Sequence, residues 1–152
     1  MLFNIAGCYV NKSSNCTYSV AEQNKSLIPL KFKNIWNLCP IFDLNNALER
    51  AENENKDVLI IFYATIFSGN DYKIWEALDL KKNSNIINKK FILCPLNVEE
   101  LENKKKQILF TNSIELASIV VISIKEEVLS NVLFYQGESI QDEKLNTFLE
   151  TY

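Results

Sequence analysis

A chain of 152 residues suits one domain with a core of its own, and an apolar fraction of 47% excludes disorder along its whole length. A net charge of −3 gives no electrostatic case for nucleic acid. The absence of histidine removes Ser-His and Cys-His pairs and the common zinc and iron ligand sets, so neither a metal nor a cofactor is expected.

Residues 1–34 differ in character from the rest of the chain. IAGC at 5–8 has the form of a lipobox that would place a lipid anchor on Cys8. The apolar stretch before it is far shorter than a signal-peptide core, and no basic residue precedes it. The other reading is an ordinary N-terminal strand or arm. Cys8 and Cys16 flank a polar, turn-like stretch and are candidates for a disulfide in an oxidising compartment. From residue 27 the pattern alternates, with Leu27, Pro29 and Lys31 on one side and Ile28, Leu30 and Phe32 on the other. That predicts an extra strand, held to a sheet edge by Pro29. No segment approaches the roughly 20 apolar residues that span a bilayer.

Residues 43–54 predict a helix, with Asp43 as its N-cap and Leu44, Ala47, Leu48 and Ala51 as its apolar face. Residues 57–79 form the central unit. An unbroken apolar run from Val58 to Tyr63 reads as a strand buried on both faces. A polar turn around Ser68, Gly69 and Asn70 comes after it, then a helix carrying Ile74, Trp75, Ala77 and Leu78. Ser68 and Asp71 have capping-box spacing. A short helix near 83–89, a strand at 91–98 and a charged, solvated helix at 99–109 come next. Strands at 119–124 and 128–135 are joined by a turn at 125–127. The final helix, 143–152, turns Leu145, Phe148 and Leu149 inward. Strand–helix–strand crossovers imply a parallel pair and the hairpin an antiparallel one, so the fold class is α/β with a mixed sheet.

KDVLIIF at 56–62, Lys73 and Ile74, and IINKKFILCPLNVE at 86–99 fall in the order seen in thioredoxin-like proteins. The pattern is closest to the branch that includes the C-terminal domain of the thiol:disulfide interchange protein DsbD and the anterior-gradient proteins. The chain resembles that family over about residues 35–152. The resemblance implies a three-layer fold, a central mixed sheet with helices on both faces, with a first strand at 34–38 and residues 1–34 as an N-terminal extension. It also shows what is missing. Without a gap the two cysteines of the family's CxxC motif fall at Ser68 and Asp71, or at Phe67 and Asn70 if the alignment slides by one, its buried acid at Ile61, and its cis-proline at Ser118. Dithiol exchange needs a thiolate at a helix N-terminus and a second thiol to resolve the mixed disulfide.

The resemblance therefore implies a redox-inactive thioredoxin-fold module that binds a protein partner, in a periplasmic, membrane-associated or secretory setting. The expected contact face brings Ile66, Phe67, Ser68, Gly69, Asn70 and Asp71 beside Ala117, Ser118 and Ile119, with backbone groups at 117–119 open to an extended partner segment. Two alternatives stand beside it: an oxidoreductase working through a non-CxxC cysteine such as Cys39, and a subunit of a larger assembly that docks by residues 1–34. The gapless alignment makes its own prediction. A Ser68→Cys/Asp71→Cys variant forms a 68–71 disulfide under mild oxidant, read by peptide mapping. Two free thiols after oxidation would show that the register is wrong.

Overall fold

The structure, a computed structural model, describes residues 8–11, 16–64, 70–113, 117–125, 128–134 and 141–152. It opens with β1 (Cys8–Asn11) and β2 (Cys16–Ser19), an antiparallel pair that sets Cys8 opposite Ser19 and Asn11 opposite Cys16. Then comes α1 (Val20–Ser26). Ser19 accepts from the Glu22 amide at 3.0 Å while the Glu22 carboxylate accepts from the Ser19 amide at 2.7 Å, a full capping box. Leu27 ends this helix with φ at 58°.

The two strands expected at 27–32 and 34–38 do not form. The Phe32 amide donates to the Pro29 carbonyl at 3.1 Å in a turn, and α2 (Lys33–Asn37) is a short helix. The buried residues explain why: Ile28, Phe32, Ile35 and Trp36 are spaced for one helical face, not for alternation. The helix start is completed from a distance. Asp79 accepts from the Ile35 amide at 3.1 Å through its carboxylate and from the Asn34 side chain at 2.7 Å through its carbonyl. Phe32, in the N-cap position, has no side chain to do this.

Next in order are α3 (Leu44–Glu54), β3 (Asp57–Tyr63), α4 (Asn70–Asp79), α5 (Lys81–Lys90), β4 (Phe91–Asn97), α6 (Leu101–Thr111), β5 (Ser118–Ser123), β6 (Val128–Phe134) and α7 (Gln141–Thr151). Asp43 caps α3 as expected, accepting from the Asn46 amide at 2.9 Å, and Leu44, Ala47 and Ala51 are buried. The main sheet runs β4-β3-β5-β6, with β3 parallel to β4 and antiparallel to β5. Pro95 lies in β4, an edge strand, where its missing N–H costs no ladder bond. The outer side of that edge is met by one bond, from the Ile41 amide to the Leu93 carbonyl at 2.9 Å.

Residue parity along β3 and β4 sorts the core. Leu59, Ile61, Phe91 and Leu93 face Ile74, Trp75 and Leu78 of α4, Ile87 of α5 and Leu145 and Leu149 of α7. Val58, Ile60, Phe62, Ile92 and Cys94 face Ala47 and Ala51 of α3. Helices thus cover both faces of a mixed sheet. Cys16, Tyr18, Ile28 and Phe32 belong to the first of these clusters, so the N-terminal segment packs into the core. No helix among the described residues is long and apolar enough to cross a membrane.

Two substitutions test this assignment. Ile61→Ala removes a fully buried side chain and is expected to lower the unfolding free energy by about 2–5 kcal/mol. Asp43→Ala, which orphans an amide at the start of α3, is expected to cost about 1 kcal/mol. Denaturant titration measures both, and equal losses would contradict the assignment.

Candidate functional site

Because β3 and β4 are parallel, their carboxyl ends lie at one end of the sheet, the location where open α/β sheets place ligands. That end holds a cavity of about 350 Å³. The sheet contributes Tyr63, Pro95 and Asn97, and the segments around α1 and the start of α3 contribute Tyr18, Ser26 and Asp43. The Tyr63 hydroxyl donates to the Ser26 carbonyl, joining the central strand to the end of α1. The Tyr18 hydroxyl donates to the Pro40 carbonyl at 3.0 Å. Burial pushes the Tyr18 phenol up from its ordinary pKa, with nearby Arg50 partly opposing, so it remains a neutral donor. On the sheet side, Asn103 donates to the Asn97 carbonyl at 3.0 Å, and the Asn97 side chain accepts from the Glu99 amide at 2.9 Å.

Beside this cavity Cys16 is bonded to Cys39, with Cα atoms 5.5 Å apart. The pairing corrects the expected Cys8–Cys16 bridge. In the β1–β2 ladder those two cysteines stand three rungs apart, about 10 Å along the strands at 3.4 Å per residue. Bonded cysteines keep their Cα atoms within about 7 Å. Cys39 adopts φ of 55°, a left-handed conformation unusual away from glycine, and its carbonyl accepts from Arg50 Nη1 at 3.0 Å. Arg50 is held in turn by Glu54, Nε to Oε1 at 2.7 Å, and this bond keeps the Glu54 carboxyl below its ordinary pKa.

Cys94 is a free, fully buried thiol facing Val58 and Ile60. Burial drives its pKa well up, Asp43 adds to the rise and Lys106 opposes it, so thiolate chemistry is closed to it. Among the described residues no cluster of His, Cys, Asp or Glu has the makings of a metal site.

Of the expected contact residues, Ile66, Phe67, Ser68 and Gly69 lie outside the described residues, and Asn70 and Asp71 open α4. The register pairs Phe62 with Ser118, so the chain leaves β3 and enters β5 at the same end of the sheet. The backbone contact expected at 117–119 is not open. Ala117, Ser118 and Ile119 are buried, and Ser118 and Ile119 are paired on both sides, with Phe62 and Ile61 of β3 and with Phe134 and Leu133 of β6. An inner strand offers no free edge, so an added strand cannot pair there. Ser118 instead receives Gln107 Nε2 at 3.4 Å on its hydroxyl. No cis peptide occurs among the described residues.

No family model matches the chain, and no curated protein does. Solved structures do. A thioredoxin from Thermus thermophilus, determined in solution, superposes with a TM-score of 0.62 at 14% identity, over 72% of this chain and 83% of that one. The fold is thioredoxin-like. A disulphide isomerase from Xylella fastidiosa Temecula1, a crystal structure, matches with a TM-score of 0.57 at 17% identity, over 71% of this chain and 86% of that one. At such identities the likeness carries the fold alone. On this thioredoxin-like frame, Ile61 sits fully buried in an apolar cluster, and the described disulfide joins β2 to the loop after α2.

Sequence reasoning missed the Cys16–Cys39 pair and the lining residues Tyr18, Tyr63, Asn97 and Asn103. Nothing local marks them, because each gains its role from a partner at long sequence separation. Closing 23 residues of chain, the bridge should contribute about 3 kcal/mol by chain entropy, so a Cys16→Ala/Cys39→Ala variant is expected to lose that much in denaturant titration. A loss below about 1 kcal/mol would show that the packing holds without it. In a Cys8→Ser background, native protein is expected to show no fast-reacting thiol and to release one, Cys94, only on unfolding.

Proposed function

We propose that this protein is a thioredoxin-fold module for binding another protein, without dithiol catalysis, working in an oxidising compartment such as the periplasm or secretory route. The observation that carries the reading is the absence of cysteine from residues 64–75, the turn and helix start after β3. An exchange enzyme on this frame needs its attacking thiolate there, stabilised by the helix N-terminus. Two further features agree with it. Ile61 stands where the family resemblance puts a proton-relaying acid, and the one cysteine pair described is a long-range bridge of the kind kept in oxidising compartments.

The partner-binding face, on this reading, is the turn at 66–71, where Ile66 and Phe67 place large apolar side chains in a polar loop sequence. Buried Ser118 and Ile119 leave the turn to supply the contact. Phe67→Asp is the substitution that separates this face from docking by the N-terminal segment.

A second reading is a redox-linked accessory protein that uses the Cys16–Cys39 pair, favoured by Cys39, which is only half-buried at the loop end of the bridge. Reduction of a model disulfide substrate such as insulin decides between them. The expected rate equals the uncatalysed background. Turnover that is lost on Cys39→Ser would overturn the binding-module reading in favour of the second.

A further inference from the structure

The cavity at the carboxyl ends of β3 and β4 is bounded on its outer side by two chain segments, 17–26 and 40–46. Two of its carboxylates cap helices, Glu22 accepting from the Ser19 amide and Asp43 from the Asn46 amide, and Glu100 lines it as well. What the geometry does specify is how the outer wall is held.

Each of the two segments begins directly after a cysteine of the bridge, Thr17 after Cys16 and Pro40 after Cys39. The first segment pairs with β1 through β2 and meets the body of the fold at a few points. In α1, Val20 is 52% exposed and Ala21 and Glu22 are exposed as well. Among the described side chains of residues 16–23, Cys16 and Tyr18 are the buried apolar ones, with Tyr18 in edge contact with Trp36 at 5.1 Å and bonded to Pro40. Below α1 the chain is firmly fixed again. Ser26 is held by Tyr63, Ile28 and Phe32 are in the core, and the Trp36 indole donates to the Pro29 carbonyl at 3.3 Å. The fixed point is thus Ser26, the last residue of α1, and Leu27, left-handed at φ 58° and 41% exposed, follows it directly.

We infer that the Cys16–Cys39 disulfide is a redox-responsive latch that holds residues 16–26 at the rim of the cavity, with the end of α1 at Ser26, retained by Tyr63, as the pivot. The reductant is a dithiol. Its thiolate attacks the sulfur of Cys39, the less buried of the two, and the S–S bond breaks with Cys16 leaving as a thiolate that takes up a proton. The second thiol of the reductant then attacks the mixed disulfide and frees Cys39. The protein disulfide gains two electrons and the dithiol ends as a disulfide. With the covalent tie gone, Tyr18, through its bond to Pro40 and its ring contacts with Trp36 and Phe42, is left to hold the wall above Ser26, and the 350 Å³ cavity, already open to solvent, widens. The inference is independent of the binding-module reading, since it concerns the state of the bridge and not turnover of a substrate.

The test uses the full chain in a Cys8→Ser background, treated with dithiothreitol under native conditions, alkylated and mapped, with amide hydrogen exchange measured on both forms. Cys16 and Cys39 should be alkylated and Cys94 not. Exchange over 16–26 should rise by about ten-fold or more while β3 and β4 keep their protection. A Cys16→Ser/Cys39→Ser variant should reproduce the reduced pattern without reductant. If that variant does not fold, the native reduction decides alone. A bond that resists the dithiol until the protein unfolds, reduction that leaves 16–26 unchanged, or loss of protection spread equally over β3 and β4 would each overturn the latch.

Discussion

Everything in this fold depends on β3 being used on all four sides. Val58 to Tyr63 are buried without exception, β4 and β5 take its two edges, and helices take its two faces. Each large side chain so buried is worth about 1.5–3 kcal/mol relative to exposure, which makes this short segment a large concentration of hydrophobic stabilisation. The parity of its residues then dictates the layers. Odd positions meet α4, α5 and α7, and even positions meet α3. A slip of one residue would exchange the two sets, setting the small Ala47 and Ala51 against side chains shaped for Trp75.

On that frame none of the cysteines whose side chains are described stands as a poised thiolate. A thiolate is stabilised where a helix N-terminus or a cation lowers its pKa. Here Cys94 is in the core with its pKa raised by burial, and Cys16 and Cys39 are spent on each other. Near the carboxyl end of β3, Ile61 is packed in the core and the Ser118 hydroxyl accepts from Gln107. The same end retains a cavity, because Tyr18, Tyr63 and Asn97 use their polar atoms on backbone partners around its rim and so hold its walls apart without filling it.

The N-terminal segment shows how little a local pattern decides when partners are distant. Residues 27–38 alternate well enough for a strand, yet α2 forms because Asp79 supplies its missing cap and Trp36 packs against Tyr18 and Phe42, at 5.1 and 6.1 Å between ring centroids. A five-residue helix has no stability of its own; tertiary contacts make it.

Local physics was enough for much of the architecture. The run at 58–63 could only be a strand buried on both faces, Asp43 could cap only the helix directly after it, and Leu145, Phe148 and Leu149 could share only one face of a helix. The absence of cysteine from 64–75 was equally a property of the sequence, and with it the absence of CxxC chemistry. The site was much less legible. Which cysteine meets Cys16 depends on a ladder register that sets Cys8 three rungs away and on a left-handed turn at Cys39, neither of which leaves a local signal. That Ser118 would be closed to a partner came from β6 taking the far edge of β5. Periodicity and capping act over a few residues and can be read along the chain. Pairings such as Cys16 with Cys39, Ile35 with Asp79 and Tyr63 with Ser26 join residues far apart in sequence, and only the folded chain brings them within bonding distance.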